Sequence, residues 1–548
     1  MNDKKVMKKN SFISGAFVST LGIIISKILG IIYVIPFHAL IGNIGGALYG
    51  YAYTIYQFFI GISTAGIPLS ISKITSDFNS KGYYNAKKRA FILGKRLAVT
   101  LGFISFLILM IFAPVIAKFI MGNLSGGNSL SDITMVIRII SLAILIVPLL
   151  SIYRGYMQGH MIMTPPSISQ VIEQIVRVSI IIFGSFIVIK LFKKSITYSV
   201  AVALMGAFFG ALCSYLYLLN KYKKNKNRFN ERINPRNEPI ISNKDIIKMI
   251  IIYAIPFIMI DVVKTLFDFV DTFTVVKGLV NYANYSTTDA ESIMSMLSTW
   301  GKKFNMIIIS INSGIVISLI PSLTESISKK DKDEVYKKIN DSFSMLLFFI
   351  IPMVIGISIL ANPIWNLFYN TTDGALFLSY FIFTSIFISL FTMSVTIIQL
   401  FKDYKMLIIS MVIGLATKMV LNVNMISIFY KSGLPPYYGV ITASIIGYFI
   451  TFLICFITLI FKYKIRMDKF INNGFNILIG SILMTVVLLV IKFIIPINVS
   501  SRLLCLLLII LYAIIGMTIY FVYSYKTGLL KDVLGNKFTK ILNKNLTK

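Results

Sequence analysis

Charged residues are scarce in this chain, and acidic residues are scarcer than basic ones. Of 548 residues only 14% are Asp, Glu, Lys or Arg, with 21 acidic against 53 basic, whereas 57% are hydrophobic. A soluble domain of this length needs far more polar surface. Apolar segments recur along the whole chain, which excludes a single secretory signal and indicates a polytopic membrane protein.

Cysteine and histidine are also rare, with three and two residues. Cys213, Cys455 and Cys505 lie far apart in apolar segments, so their spacing fits neither a metal site nor a disulfide framework. The sequence contains no Walker loop, no glycine-rich nucleotide motif after a strand and no paired carboxylates beside a nucleophile. We therefore expect neither an enzyme nor a protein that depends on a metal ion or cofactor.

Apolar segments of about 20 residues or more, the length that crosses a bilayer, occur fourteen times. They lie at roughly 11–37, 47–72, 91–119, 132–157, 164–190, 196–220, 246–276, 298–327, 341–369, 373–401, 405–430, 436–462, 473–497 and 500–525. Most Lys and Arg residues fall in alternate connections, which by the positive-inside rule predicts that both termini are cytoplasmic. Topology and attraction to anionic membrane lipids explain the basic excess, so we expect no nucleic acid partner.

The longest polar interruption, a basic linker at 221–245, predicts a division of the chain into two lobes. The N-terminal lobe is 1–220, the C-terminal lobe is 246–462, and 463–548 holds spans 13 and 14 and a basic tail. The sequence GIPLSISKITSD at 66–77 resembles LIPSLTESISKK at 319–330, and six spans separate them. This pattern predicts an all-α fold with fourteen transmembrane helices: two pseudo-symmetric six-helix lobes plus two C-terminal helices, with alternating access between the lobes.

Span 7 contains four ionisable residues on one face: Asp261, Lys264, Asp268 and Asp271. At about 100° per residue they fall within an arc of roughly 80°. A charge at the bilayer centre costs on the order of 3 kcal/mol, so this face must line a polar cavity or pair inside a bundle. Local pairing around Lys264 would make a structural ladder. Alternatively, Asp268 or Asp271 binds a proton, a cation or an amine of a substrate.

Five further ionisable residues interrupt the other spans: Lys27, Arg154, Glu173, Arg177 and Lys418. Lys27 lies deep in span 1 and is expected to line a cavity, whereas Arg154 either snorkels to the cytoplasmic surface or contacts substrate. Glu173 and Arg177, at i and i+4, favour an intrahelical salt bridge that is either structural or functional. Lys418 stands alone and is expected to point inward. The ionisable residues inside the spans carry a summed charge of +2 in the first half of the chain, which suits an anion. In the second half, including span 7, they sum to −1, which suits a cation.

Two motifs and the arrangement of spans connect the chain to a known family. Ser26-Lys-Ile-Leu-Gly30, Ala65-Gly-Ile-Pro-Leu-Ser-Ile-Ser-Lys73 and the 6 + 6 + 2 pattern resemble the stage V sporulation protein B group. This group belongs to the polysaccharide-transporter branch of the multidrug/oligosaccharidyl-lipid/polysaccharide (MOP) flippase superfamily and is similar to the MurJ-type lipid II flippases.

The resemblance implies flipping of an undecaprenyl-pyrophosphate-linked sugar across a bacterial cytoplasmic membrane. The leading substrate is the peptidoglycan precursor lipid II, for the cell wall or spore cortex, with cell-wall synthases as possible partners. Coupling to membrane potential, H⁺ or Na⁺ is the corresponding hypothesis for the acids of span 7.

MurJ-type proteins have arginines in a Ser-Arg-x-Leu-Gly-x-x-Arg pattern in the first helix. Here Lys27 takes the first basic position and Tyr33 the second, so a point charge stands where the pattern has a bidentate fork. The resemblance also implies that spans 13 and 14 form a groove for the lipid tail.

Three other functions fit parts of the sequence. A flippase for teichoic acid or another surface polysaccharide has the same charge requirements. A drug or metabolite antiporter of the multidrug branch would favour cationic substrates, against which Lys27 and the +2 first half argue. A non-transporting envelope scaffold would tolerate neutralisation of Lys27.

Overall fold

The computed structural model describes residues 25–64, 66–225, 229, 238–494 and 501–535. Several predicted features therefore lie wholly or partly outside the described residues. These are the start of span 1, Ala65 of the second motif, residues 226–228 and 230–237 of the linker, the connection at 495–500 and the tail from 536 onward.

Every regular element in the described part of the chain is helical. After a helical segment at residues 25–32, the helices are α1 Val34–Thr64, α2 Ile67–Ser80, α3 Tyr84–Met121, α4 Leu130–Gly159, α5 Thr164–Ser179, α6 Ile196–Lys224, α7 Asn243–Ala283, α8 Thr287–Ser295, α9 Lys302–Lys329, α10 Lys332–Ile359, α11 Ala361–Tyr369, α12 Ala375–Phe381, α13 Thr384–Leu400, α14 Tyr404–Lys431, α15 Tyr437–Phe461, α16 Asp468–Ile494, α17 Arg502–Lys526 and α18 Leu529–Leu534. Single π-helical turns follow α5, at Ile180–Gly184 and Ile187–Leu191, and α8, at Met296–Trp300.

Thirteen helical stretches within the described residues are long and apolar enough to cross a membrane. They coincide with predicted spans 2 to 14, and span 1 begins outside the described residues, so the finding is consistent with fourteen spans. Gly42, with φ of 61°, makes the sharp kink between the first two spans. Several helices are longer than their apolar segment, because backbone hydrogen bonds continue into polar turns that hydropathy excludes. The protein is thus an all-α, multi-pass membrane protein.

The chain forms two compact units whose boundary differs from the lobe boundary expected above. The first unit runs to Val280 and includes Tyr285–Thr299; the second includes Asn281–Asn284 and continues from Trp300. Helix α7 thus groups mainly with the first six spans. The pseudo-symmetric lobes, which are defined by the sequence repeat, stay a prediction.

Close backbone contacts explain how α7 packs within the first unit. A Cβ added to Gly66, in the turn between α1 and α2, would lie 2.7 Å from the Cα of Ala254 in α7. The Lys73 ammonium lies 3.9 Å from the ring centre of Tyr253. Further along α7, Phe269 contacts Phe58 of α1 at 4.9 Å between ring centres. Helix α7 therefore contacts α1, α2 and the turn between them at these positions.

Helices α10 and α16 lie side by side in the second unit and are joined by two buried amides, those of Asn340 and Asn473. Asn340 Nδ2 donates to the Arg466 carbonyl at 2.7 Å, and Asn340 Oδ1 accepts from the Phe470 N–H at 2.9 Å. A turn later, Asn473 Nδ2 donates to Ser344 Oγ at 3.2 Å. Buried polar groups are stable only when hydrogen-bonded, so these bonds fix the register of the two helices.

Candidate functional site

A buried cluster of two arginines and one glutamate lies inside the first unit. Glu173 accepts from Arg154 Nη2 at 2.9 Å through Oε2 and from Arg177 Nη2 at 2.6 Å through Oε1. The glutamate side chain is 15% exposed and each arginine 16%. The predicted pair of Glu173 with Arg177 is present. Arg154 does not snorkel but joins this pair, which the sequence left open.

Helix α5, which carries Glu173 and Arg177, packs closely against α6 at two glycines. A Cβ on Gly210 would lie 2.6 Å from the Glu173 carbonyl, and one on Gly206 would lie 2.9 Å from the Arg177 carbonyl. Glycine at both positions allows the backbones of α5 and α6 to approach closely. Arg154 is also oriented by a 2.8 Å hydrogen bond from its Nε to Ser169 Oγ, at the start of α5.

The cluster has an excess of one positive charge and of hydrogen-bond donors. One carboxylate neutralises one of the two guanidinium groups, each of which has five N–H donors. Arg177 Nε is buried and has no hydrogen-bond partner in the described part of the chain. An uncompensated cation in a membrane-crossing bundle is costly unless an anion or water reaches it. The arrangement can therefore bind an anion, such as a phosphate oxygen.

Tyrosines of α1 surround Arg177, and the sequence analysis missed them. Tyr49, Tyr53 and Tyr56 all lie close enough to interact electrostatically with Arg177, and the rings of Tyr49 and Tyr53 stack at 5.6 Å. Their spacing of i, i+4 and i+7 puts them on one helical face. That spacing was the available signal, but it was hidden within an apolar aromatic run.

Lys27 belongs to a helical turn that adjoins the cluster. The side chain is partly buried, and Gly30, one turn later, lies against α5, where an added Cβ would be 3.3 Å from Gln174 Nε2. Gln174 directly follows Glu173. The structure thus brings the helix of Lys27 to the helix that bears the cluster. Tyr33, in the second basic position of the family pattern, is buried.

The ionisable face of α7 is not a fully paired ladder. Lys264 makes no ion pair with any described residue, although Asp261 is near enough to interact with it electrostatically. Asp261 lies on the side of α7 that faces Gly61 of α1, where an added Cβ would be 3.8 Å from the Asp261 Cβ. Asp268 and Asp271 are partly buried.

Lys418 lies in the second unit, apart from the other eight predicted site residues. It is 1% exposed, as the inward orientation expected from the sequence requires. Asn422, one turn later on α14, is fully buried. The two polar side chains lie one turn apart on the same face of α14.

A second buried carboxylate, Glu291 of α8, was not predicted. It accepts from the Asn128 N–H at 2.8 Å, from Asn128 Nδ2 at 3.0 Å and from the Tyr51 hydroxyl at 3.3 Å. Asn128 Nδ2 also donates to the Ile44 carbonyl at 3.1 Å. Glu291 therefore connects α8 by hydrogen bonds to α1 and to the loop before α4. Hydropathy gave no signal, because α8 lies before the apolar part of span 8.

An apolar cavity of about 360 Å³ lies in the second unit, where α10, α11, α16 and α17 meet. Its walls include Phe348, Met484, Leu488 and Tyr512. The Tyr520 hydroxyl, on the same wall, is occupied by a 3.1 Å hydrogen bond to the Phe348 carbonyl. The cavity is thus a hydrophobic slot that includes the last two spans, where the resemblance implies a lipid-tail groove.

Metal ligands do not gather in the described residues, which contain no group of three or more His, Cys, Asp or Glu side chains arranged to hold an ion.

Two proteins of one bacterium are similar in sequence to this chain, one of them over almost its whole length. The lipid II flippase MurJ of Bacillus subtilis is 31% identical over 552 residues, which cover 98% of this chain and 99% of that protein. Stage V sporulation protein B of the same bacterium is 23% identical over 68% of this chain and 69% of its own length.

The fold is likewise that of a known transporter. A solved structure of lipid II flippase MurJ in an inward closed conformation superposes with a TM-score of 0.61 at 16% identity, covering 94% of this chain and 100% of that one. Residues 12–325 match the family of polysaccharide biosynthesis proteins. The chain therefore belongs to the polysaccharide biosynthesis protein family, as a MurJ-like member of the MOP superfamily.

Proposed function

We propose that this protein flips an undecaprenyl-pyrophosphate-linked sugar, the peptidoglycan precursor lipid II, across a bacterial cytoplasmic membrane by alternating access. The observation that carries the proposal is the buried Arg154–Glu173–Arg177 cluster, which keeps an excess positive charge inside membrane-crossing helices. Pyrophosphate is the anionic part of such a substrate, and guanidinium groups bind phosphate oxygens in forked geometry. The similarity to MurJ over 98% of the chain supports this substrate class.

The surroundings of the cluster suit the rest of such a substrate. Lys27 lies on the adjoining helix and would add a second cationic group, as a point charge. Tyr53 is only partly buried, and its hydroxyl and ring form an amphipathic surface that a sugar could contact. The apolar cavity of α10, α11, α16 and α17 would take part of the polyprenyl chain.

The experiment depletes the native protein from its host and supplies variants, then measures lipid II in the outer leaflet with an outward-facing probe. Arg177→Gln should lower the amount of lipid II in the outer leaflet about tenfold or more, since a hydrogen bond to a charged group contributes about 1.5–3 kcal/mol. Arg154→Gln should act in the same direction.

Arg138→Gln is the matched control, because Arg138 lies on the same helix as Arg154 but is exposed and outside the cluster. Arg138→Gln should change the amount of lipid II in the outer leaflet by less than twofold. Normal lipid II exposure in both cluster variants, at normal protein levels and with redundant flippases deleted, would contradict the proposal. If teichoic acid precursors alone respond, the substrate is a different surface polymer.

The acids of α7 are proposed to couple flipping to an ion gradient or to membrane potential. A partly buried carboxylate in a membrane-crossing helix can exchange a proton or hold Na⁺ between two states of the protein. Asp268→Asn and Asp271→Asn, alone and together, should alter the dependence of flipping on pH or Na⁺. Unchanged dependence in the double variant would remove the coupling hypothesis but leave the substrate assignment.

A further inference from the structure

A basic cleft in the second unit has no part in the proposed function. Lys332, Asp333 and Tyr336, at the start of α10, line it together with Lys464 and Arg466, in the turn between α15 and α16. The cleft has a volume of about 470 Å³. Three basic side chains and one acidic side chain give it a formal charge of +2.

The two walls of the cleft are held together by the buried Asn340. This amide, one turn after Tyr336, bonds the Arg466 carbonyl and the Phe470 N–H and also donates to the Tyr336 carbonyl at 2.8 Å. Lys464 and Arg466 are thereby held beside the first turn of α10. The cleft is a built feature of the fold, since its position depends on an internal hydrogen-bond network.

Among the described residues, the basic side chains of the cleft have no ionic partner, whereas lysines on either side of it do. Lys462 pairs with Asp403 at 2.5 Å, and Lys469 pairs with Asp341 at 2.6 Å. In contrast, Lys332, Lys464 and Arg466 form no ion pair with any of the residues that the structure describes. Like charges gathered around one cavity repel each other, and an anion between them relieves that repulsion.

The position of the cleft favours a lipid over a soluble anion. Helix α10 has 28 residues, which makes it about 42 Å long, whereas the hydrocarbon core is about 30 Å thick. Its first turns therefore reach the headgroup layer, on the side predicted to be cytoplasmic. Close in sequence to Lys464 and Arg466, the apolar side chains of Phe461, Ile471 and Phe475 are 76%, 49% and 66% exposed.

We propose that this cleft binds the phosphate headgroup of an anionic membrane lipid in the cytoplasmic leaflet. Arg466 and the two lysines donate to the phosphate oxygens, and the acyl chains lie along the exposed apolar side chains of α15 and α16. The forked guanidinium of Arg466 suits a phosphate monoanion or diester. A soluble phosphate compound shares the headgroup chemistry but has no acyl chains that would contact the apolar surface.

The experiment places the full chain in nanodiscs of phosphatidylcholine with a minor fraction of phosphatidylglycerol. Native mass spectrometry then measures how much phosphatidylglycerol stays bound to the released protein. The double variant K464Q/R466Q should bind phosphatidylglycerol about 25-fold more weakly, because each of the two basic groups near an anionic surface contributes roughly a fivefold factor. K332Q alone should give a smaller loss in the same direction.

The control is K402Q/K405Q, which removes the same charge from two exposed lysines in another predicted cytoplasmic connection. It should retain phosphatidylglycerol within twofold of the unmodified chain. Equal retention in the two double variants overturns the proposal. A second arm adds inorganic pyrophosphate: if it displaces the lipid from the unmodified chain at equal concentration, the cleft is a site for soluble phosphates and the lipid assignment is wrong.

Discussion

Glu173 holds two buried arginines with one carboxylate. Removing one partner of a buried ion pair leaves an uncompensated charge, which costs about 3–5 kcal/mol. Here the loss affects Arg154 and Arg177 together, so their mutual repulsion is added. The residue is therefore a point at which stability and the proposed anion site depend on the same atoms.

We predict that Glu173→Ala lowers the free energy of unfolding by about 3 kcal/mol, measured by thermal unfolding in detergent. The control is Glu325→Ala, which likewise removes the i, i+4 partner of a basic residue, here Lys329. Glu325 and Lys329 have side chains 60% and 63% exposed, and such surface pairs contribute little. Equal effects of the two substitutions would contradict a buried role for Glu173.

Asp403 is a second residue with several partners, in the connection before α14. It accepts from Lys462 Nζ at 2.5 Å and from the Tyr463 hydroxyl at 3.1 Å. Burial alone would raise the pKa of the Asp403 carboxyl, but these hydrogen bonds outweigh it and the pKa lies below its usual value. Burial and the bond to Asp403 raise the pKa of Tyr463 to about 12.

A lowered carboxyl pKa stabilises the folded state above the ordinary value of 3.8, and this stabilisation is lost as pH falls through the folded-state pKa. Asp403→Asn keeps a residue that caps helices well but removes the charge. We predict that it lowers the melting temperature at pH 7 and that its difference from the unmodified chain shrinks below pH 3.8. Asp468→Asn, at an exposed position, should show no such convergence. A constant difference across pH would rule out the charge as the cause.

At the scale of elements, glycines set how closely neighbouring helices approach. A Cβ on Gly439 of α15 would lie 2.7 Å from the Ile426 nitrogen of α14 and closer still to the Met425 carbonyl. Backbone atoms cannot move aside as a flexible side chain can. In contrast, a Cβ on Gly474, inside α16, would meet nothing within 4 Å.

We predict that Gly439→Ala destabilises the protein by about 1–3 kcal/mol through overpacking. Gly474→Ala should be neutral or stabilise by up to about 1 kcal/mol, because alanine is the better helix former. Thermal unfolding of the two variants in the same detergent measures both. If Gly474→Ala lost stability and Gly439→Ala did not, the predicted overpacking between α14 and α15 would be wrong.

At the scale of the whole molecule, the distribution of basic residues predicts an even number of crossings. Both termini then lie in the cytoplasm, and the connection between spans 11 and 12 lies outside. A green fluorescent protein fused after the last residue should fluoresce, and alkaline phosphatase fused there should be inactive. The same phosphatase inserted at Gly433 should be active. Phosphatase activity at the C-terminus would require an odd number of crossings.

The sequence alone determined the fold class and the spans, because about 20 apolar residues can cross a bilayer only as a helix. It also predicted the pair of Glu173 with Arg177, since residues at i and i+4 meet on any helix. The sequence also predicted that Lys418 points inward, because a lone charge that faces lipid is energetically costly.

Only the tertiary structure decided which charges meet between helices. Arg154 of α4 donates to Glu173 of α5, which packs against α6 at Gly206 and Gly210. Lys264 makes no ion pair with any described residue, although acids flank it in sequence. Glu291, Asn128 and Tyr51 come from three distant segments, as do the walls of the basic cleft. Hydropathy and helical period describe one element at a time, whereas these contacts depend on the packing distance and register between elements.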